Sequence, residues 1–247
     1  KYQILNSPSN LCLILALNPK EKPFDDIEVR KAINLAIDKN KIIQLAMNGK
    51  GTPIYTNMSP VMSKFLWAAP EEKADPQKAK QILEEKKLLP IKFTLKVPNS
   101  SKIYLDTAQS IKEQLKEVGI TVDLEIIEWA TWLSDVYTNR KYEASLAGLA
   151  GKMEPDAILR RYTSTYAKNF TNFNNARYDA LIEEAKRTSN EAKQVENYKE
   201  AQKILAEEQA AIFLMDPNTI IATEKGLEGF EFYPLPYFNF AKLYFKK

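Results

Sequence analysis

Two stretches of the chain alternate apolar and polar residues without a fault: "IKFTLKV" at 91–97 and "ITVDLEI" at 120–126. A period of two places every second side chain on one face, so each predicts a half-buried β-strand. Between them Ala108, Ile111, Leu115 and Val118 recur at helical spacing and Gly119 closes the run, predicting a helix over 102–118. Strand, helix and strand with short links make a βαβ unit, whose crossover is right-handed and whose strands are parallel. "LCLILALN" at 11–18 does not alternate at all, and reads as a buried strand from its continuous apolar run.

Polar punctuation sets the remaining boundaries. Asp25, with Glu28 three residues on, approximates a capping box ahead of the stripe Ile27, Ile33, Ala36 and Ile37. Asn40 is read as the cap of a second short helix carrying Ile42, Ile43 and Leu45, which Gly49 ends. Residues 51–70 contain three prolines and no period, which predicts a long ordered loop. Asp75 followed by Pro76 is a strong helix start, and that helix stops before Pro90. A short helix over 130–138, a strand over 142–149 and a helix opened by Pro155 come next. "ARYDALIEEAKR" and a run from Asn190 to about Ala211 are two further helices, followed by an "IIAT" strand and the aromatic stretch "FEFYPLPYFNF". No internal repeat intervenes. The fold class is α/β, a mixed sheet with helices on its faces.

Composition narrows the function more than the fold. Across 247 residues, 45% apolar and 27% charged, one large domain or two small ones can be buried. The 35 basic and 32 acidic residues are interleaved, so no phosphate-tracking patch stands out and nucleic acid is not an expected partner. Histidine is absent and Cys12 is the lone cysteine, in an apolar run, which argues against a transition-metal site unless the metal arrives already chelated. Without histidine a Ser or Cys nucleophile lacks its usual base, and no nucleophile elbow, phosphate-cradling loop or dinucleotide motif occurs. A carboxylate hydrolase using Glu125, Glu128 and Glu154 is the surviving enzyme reading, although Glu125 falls on the solvent face of its strand. No cofactor is expected. No apolar stretch approaches the ~18 residues of a membrane helix. The opening "KYQILNSPSN" has no hydrophobic leader and no Met, which suggests a cytoplasmic protein or a mature or truncated piece.

Several ordered motifs resemble one family. "LALNPKEKPFDDIEVRKAINLAIDKNKIIQLAMNGKGTPIYTNMSP" carries Asn18, Pro23-Phe24-Asp25-Asp26, Val29-Arg30-Lys31-Ala32, Ala36-Ile37-Asp38 and Gly51-Thr52-Pro53. "DPQKAKQILEE", "LKEVGITVDLEIIEWATWL" and "NFNNARYDALIEEAKRTSN" extend the likeness almost end to end. The chain resembles the C-terminal lobe of family 5 extracellular solute-binding proteins, the receptors of peptide and nickel ABC importers. That resemblance implies a lobe of the type II periplasmic-binding-protein fold, with an N-terminal lobe absent from this chain. It divides the chain into an inter-lobe strand segment (1–20), a ligand-binding lobe (21–217) and returning inter-lobe strands with a tail (218–247). It also implies a monomeric extracytoplasmic receptor, periplasmic or lipid-anchored, that hands a small peptide to a membrane permease. A nickel chelate or other anionic small solute is the alternative cargo, and an adhesive surface protein a weaker alternative.

The segment "KYEASLAGLAGKMEPDAILRRY" at 141–162 aligns with the family loop that lines the cleft. Peptide binders often read Ala-Gly-Trp there, then an Asp that pairs with the peptide ammonium. This chain has Leu149 at the Trp position and Lys152 at or beside the Asp. The resemblance therefore points to Leu146, Leu149, Gly151, Lys152, Met153 and Glu154, with Trp129 as a pocket aromatic. Leu146 and Ala16 stand where oligopeptide binders can carry an arginine and a glutamate. An ammonium in place of a carboxylate reverses the charge a pocket welcomes. Each residue also has a plain structural role open to it: a solvated lysine, core packing for Trp129 and Trp132, a helix cap for Glu154.

Overall fold

The computed structural model describes residues 1–246 except Pro234 and Pro236. Strands β1 (Tyr2–Pro8) and β2 (Leu11–Leu17) are followed by helices α1 (Ile27–Ala36) and α2 (Lys39–Met47) and the short β3 (Gly51–Pro53). Helix α3 (Pro76–Glu85) leads into β4 (Ile91–Pro98), α4 (Lys102–Glu117) and β5 (Ile120–Ile127). Helix α5 (Trp129–Thr131) runs on as π-helical backbone over Trp132–Thr138, and β6 (Ala144–Ala150) and α6 (Pro155–Leu159) follow. Helices α7 (Ala176–Arg187) and α8 (Glu191–Glu207) precede the long β7 (Ile212–Glu224).

The sheet runs β1-β7-β2-β6-β4-β5, with β3 also paired to β7. Strands β4 and β5 are parallel from Ile91↔Ile120 to Pro98↔Ile127, so the alternating strands and their helix form the expected βαβ unit. Strand β6 joins β4 in parallel, and the pairings of β1, β2, β3 and β7 are antiparallel. The mixed α/β sheet flanked by helices is the fold class read from the sequence.

Strand β2 shows why its sequence does not alternate. Leu13, Leu15 and Leu17 enter a cluster with α1, α2 and α4, including Phe24, Ile33, Ile42 and Ile111. Cys12, Ile14 and Ala16 enter a second cluster on the other face, with Trp132, Tyr162, Tyr178 and Phe213. Both faces are covered, so both sets of side chains are apolar. Burial also pushes the Cys12 thiol far above its ordinary value, with Asp216 adding to the shift and Arg161 opposing it.

Several boundaries differ from the sequence reading. Asp26, not Asp25, caps α1 by accepting from the Glu28 amide at 2.8 Å. Asp38, not Asn40, caps α2, accepting from the Asn40 and Lys41 amides. In both cases the cap lies one residue before the first helical one, where its carboxylate reaches the free amides. The loop over 51–70 contains β3 and a 3-10 turn at Pro60–Met62. Helix α8 stops at Glu207 rather than Ala211, because Gln209 takes a left-handed φ of 50° and the chain turns into β7.

Strand β7 does two jobs. Its first half, Ile212–Asp216, is buried in the sheet centre, while Asn218–Glu224 pairs with β1 as a two-stranded ribbon, from Tyr2↔Glu224 to Pro8↔Asn218. One ribbon face leaves Tyr2, Ile4 and Ile220 exposed. At the junction the buried Asp216 carboxylate accepts from Ser9 N and Ser9 Oγ, both at 2.9 Å, from Asn10 N at 3.0 Å, and from Ser59 Oγ. Four donors on one carboxylate fix the turn between β1 and β2 against the strand they both flank.

Candidate functional site

The quoted loop leaves β6 at Ala150 and enters α6 at Pro155. Its backbone is seated on the β1–β2 turn: Gly151 N donates to Asn10 O at 2.6 Å. A Cβ on Gly151 would lie 2.1 Å from the Asn10 side chain and 2.3 Å from its carbonyl oxygen, so glycine is required by close approach. Gly148 is similarly confined, its notional Cβ 2.6 Å from Tyr104 Oη. Beyond this anchor Lys152, Met153 and Glu154 are exposed, Gly151 and Leu149 half-buried. Glu154 occupies the cap position of α6, yet its side chain accepts no capping hydrogen bond.

Trp129 is 42% exposed and stacks on Trp132, centroids 4.9 Å apart and planes 3° from parallel. Trp132 is buried, and its indole N–H donates to Ser145 Oγ at 2.9 Å, which itself donates to the Lys96 carbonyl. Tyr137 and Phe170 extend the aromatic layer at 5.9 and 5.7 Å from Trp132. Trp129 is thus a platform held from behind by a rigid core residue.

Where this layer meets the end of β6 there is a cavity of about 160 Å³. Tyr137, Phe170, Leu149 and Tyr162 supply apolar walls, and Arg161 and Lys168 supply positive charge. Arg161 Nη2 donates to the Ala150 carbonyl at 2.8 Å, tying the guanidinium to the loop. The sequence reading missed both cations; the adjacent pair Arg160-Arg161, just after the helix opened by Pro155, was the available signal.

The structure brings Leu149 to this cavity and leaves Gly151, Lys152, Met153 and Glu154 outside its lining, in the loop that follows β6, with Trp129 joined through the aromatic layer. Leu146 is corrected: it has 0% exposure and points into the α1–α4 side of the core, so it presents no surface to a ligand. Ala16, also at 0%, lies in the opposite cluster. Alternation on each strand explains the split: on β6 Ala144 and Leu146 face the first cluster and Ala147 the second, whereas on β2 Ala16 faces the second with Cys12 and Ile14.

The three carboxylates of the hydrolase reading have separate surroundings. Glu125 is 3.9 Å from Lys96, Glu128 accepts from Asn99, and Glu154 stands on the exposed loop. Among the described residues no cluster of three His, Cys, Asp or Glu could hold a metal ion, and no helix is long and apolar enough to cross a membrane.

The family model described as bacterial extracellular solute-binding proteins, family 5, matches residues 1–172. The chain is 29% identical over 259 residues to the oligopeptide-binding protein AppA of Bacillus subtilis, covering 95% of this chain and 47% of that one. It is 30% identical over 217 residues to di/tripeptide-binding protein 1 of Pseudomonas aeruginosa, covering 83% of this chain and 40% of the relative. The solved structure of Bacillus subtilis AppA in complex with a nonapeptide superposes with a TM-score of 0.84 at 27% identity, over 100% of this chain and 53% of AppA. The chain therefore spans about half the length of the relatives it matches. Solute-binding proteins of this family are not enzymes, which removes the hydrolase reading. By the match over residues 1–172, the chain belongs to family 5 of the bacterial extracellular solute-binding proteins.

Proposed function

We propose that this chain is the cleft-lining lobe of an ABC importer's receptor, which captures a small peptide and hands it to a membrane permease. The observation that carries this reading is the grouping, at one end of β6, of an exposed loop, a tryptophan platform and a cationic cavity. These lie beside the junction from which the β1–β7 ribbon leaves the core. Residues 21–217 form the ligand-binding lobe; 1–20 and 218–247 connect it to an N-terminal lobe outside this chain. Closure of the two lobes excludes water and strengthens each polar contact, so a few anchors set specificity. The protein works as a monomer outside the cytoplasmic membrane, periplasmic or lipid-anchored.

Peptide is preferred because the relatives named above bind oligopeptides and di- or tripeptides. A small anionic solute is the second reading, favoured by Arg161 and Lys168 lining one cavity, with Lys152 exposed in the loop that leaves β6. Native mass spectrometry of the full-length receptor, followed by titration of the molecules it releases, tests the choice. Release of peptides that rebind stoichiometrically supports the peptide reading. A preparation that releases no peptide and binds none from a defined library overturns it.

A further inference from the structure

We propose that the cavity at the end of β6 is a carboxylate subsite, in which Arg161 and Lys168 receive an anionic group of the captured peptide. This rests on the receptor reading above and names what one part of the ligand must be.

Two cationic side chains from different segments converge on one small cavity. Arg161 comes from the 3-10 turn after α6, and Lys168 from the loop that precedes α7. Neither has a carboxylate within ion-pair distance among the described residues, whereas neighbouring cations do: Arg160 lies 3.9 Å from Asp156, and Lys186 lies 2.8 Å from Glu183. Asp156, the α6 carboxylate closest in sequence, thus lies near Arg160 and forms no ion pair with Arg161. The Ala150 carbonyl takes one Arg161 donor and orients the guanidinium, leaving the rest of its fork without a protein acceptor among the described residues.

The walls strengthen the case. Tyr137 and Phe170 are aromatic and lower the local dielectric, so a charge pair formed between them is less screened than one at the surface. Tyr162 lines the same cavity, is buried, and its hydroxyl has no hydrogen-bond partner among the described residues. A volume of about 160 Å³ admits a carboxylate with a methylene or two, not a whole peptide. An ammonium entering here meets two positive charges, those of Arg161 and Lys168. A carboxylate meets a guanidinium already held in place, the geometry that favours paired hydrogen bonds.

The carboxylate has two sources, a free peptide C-terminus or an acidic side chain. The test is isothermal titration of the full-length receptor with alanyl peptides of three to nine residues. These are prepared as free acids, as C-terminal amides, and as amides with one internal Glu. Wild type is expected to bind carboxylate-bearing peptides on the order of tenfold to a hundredfold tighter than neutral amides. Loss on amidation assigns the terminus; retention by the Glu-containing amide assigns the side chain. Arg161→Gln and Lys168→Gln should erase the preference, and Lys168→Glu should reverse it. Should Arg161→Gln fail to fold through loss of its Ala150 contact, the exposed Lys168 variants carry the test. Equal binding of charged and neutral peptides, or a preference unchanged in the Lys168 variants, overturns the subsite alone. Absence of binding by every peptide overturns the receptor reading and the subsite with it.

Discussion

The Gly151 amide lies 2.6 Å from the Asn10 carbonyl oxygen, with no space between the two backbones for even a methyl group. The loop between β6 and α6 is thereby fixed to the turn that joins β1 to β2. Asn10 itself sits at a left-handed φ of 59°, and its amide is bound to Asp216. Gly151→Ala forces either loop or turn to shift against backbone atoms, which an overpacked contact of this kind penalises by about 2 kcal/mol. Thermal unfolding should show a clear drop in Tm. An unchanged Tm would mean that the loop is free to move away from Asn10.

Asp216 makes a sharper case. Asp216→Ala leaves the Ser9 and Asn10 amides and two hydroxyls facing a vacated carboxylate position. Buried donors without acceptors are costly, so a loss of roughly 3 kcal/mol is expected. Urea unfolding of Asp216→Ala beside Ser59→Ala separates carboxylate from partner: the serine variant removes one donor and should cost about 1 kcal/mol. Equal losses in the two would show that Ser59, not the carboxylate, holds the junction.

The sequence was most legible where one face of an element is wet. Strands β4 and β5 alternate because helices cover one side, and the βαβ unit follows from that pattern alone. The first half of β7 was illegible for the opposite reason. "AAIFLM" is buried on both faces and follows directly on a helix, and so short an apolar run cannot be told from a helix end by period. Asp25 and Asp26 are chemically equal candidates, and only the onset of α1 decides between them. At the site, glycine and proline punctuation marked the loop, but the meeting of Arg161 and Lys168 is a tertiary event with no local signature. Leu146 misled because a resemblance aligns positions, whereas register on β6 decides which way each side chain points.

That last point can be tested directly. Leu146→Arg installs the side chain that some peptide binders carry at the aligned position, but here it enters the core cluster with Leu15 and Leu95. An unpaired guanidinium in that layer should cost more than about 4 kcal/mol and prevent stable folding. A soluble, cooperatively unfolding Leu146→Arg protein with native circular dichroism would contradict the burial described above.

Trp129 and Trp132 stack on one another, yet they should respond oppositely to truncation. Trp132→Ala empties a core position and removes the indole donor to Ser145, at a cost of about 3–5 kcal/mol. Trp129→Ala gives up one stacking contact of about 1 kcal/mol while removing the exposed platform. Binding by the full-length receptor should therefore weaken on the order of tenfold in Trp129→Ala with Tm nearly kept. Unchanged affinity in Trp129→Ala would return this tryptophan to a purely structural role.

Lys39 supplies a pH dependence whose sign can be worked out. The side chain is 7% exposed, and burial pushes its ammonium down from 10.5 to about 8, with Glu72 opposing the shift. Below pH 8 folded and unfolded chains are both protonated at this site, and the full cost of burying the charge is present. Between about 8 and 10.5 the folded chain has released a proton that the unfolded chain still holds, so this group's contribution to stability rises with pH. The cost at neutral pH is at most about 3 kcal/mol. It is smaller in practice, because Nζ donates to the Ile54 carbonyl at 3.1 Å and lies 4.1 Å from the Tyr55 ring, both of which favour the ammonium. Lys39→Met should therefore raise stability at pH 7 and flatten the rise between pH 8 and 10.5, read as the difference between the two proteins in urea unfolding. A Lys39→Met protein less stable than wild type at pH 7 would show that the carbonyl and ring contacts outweigh the desolvation of the charge.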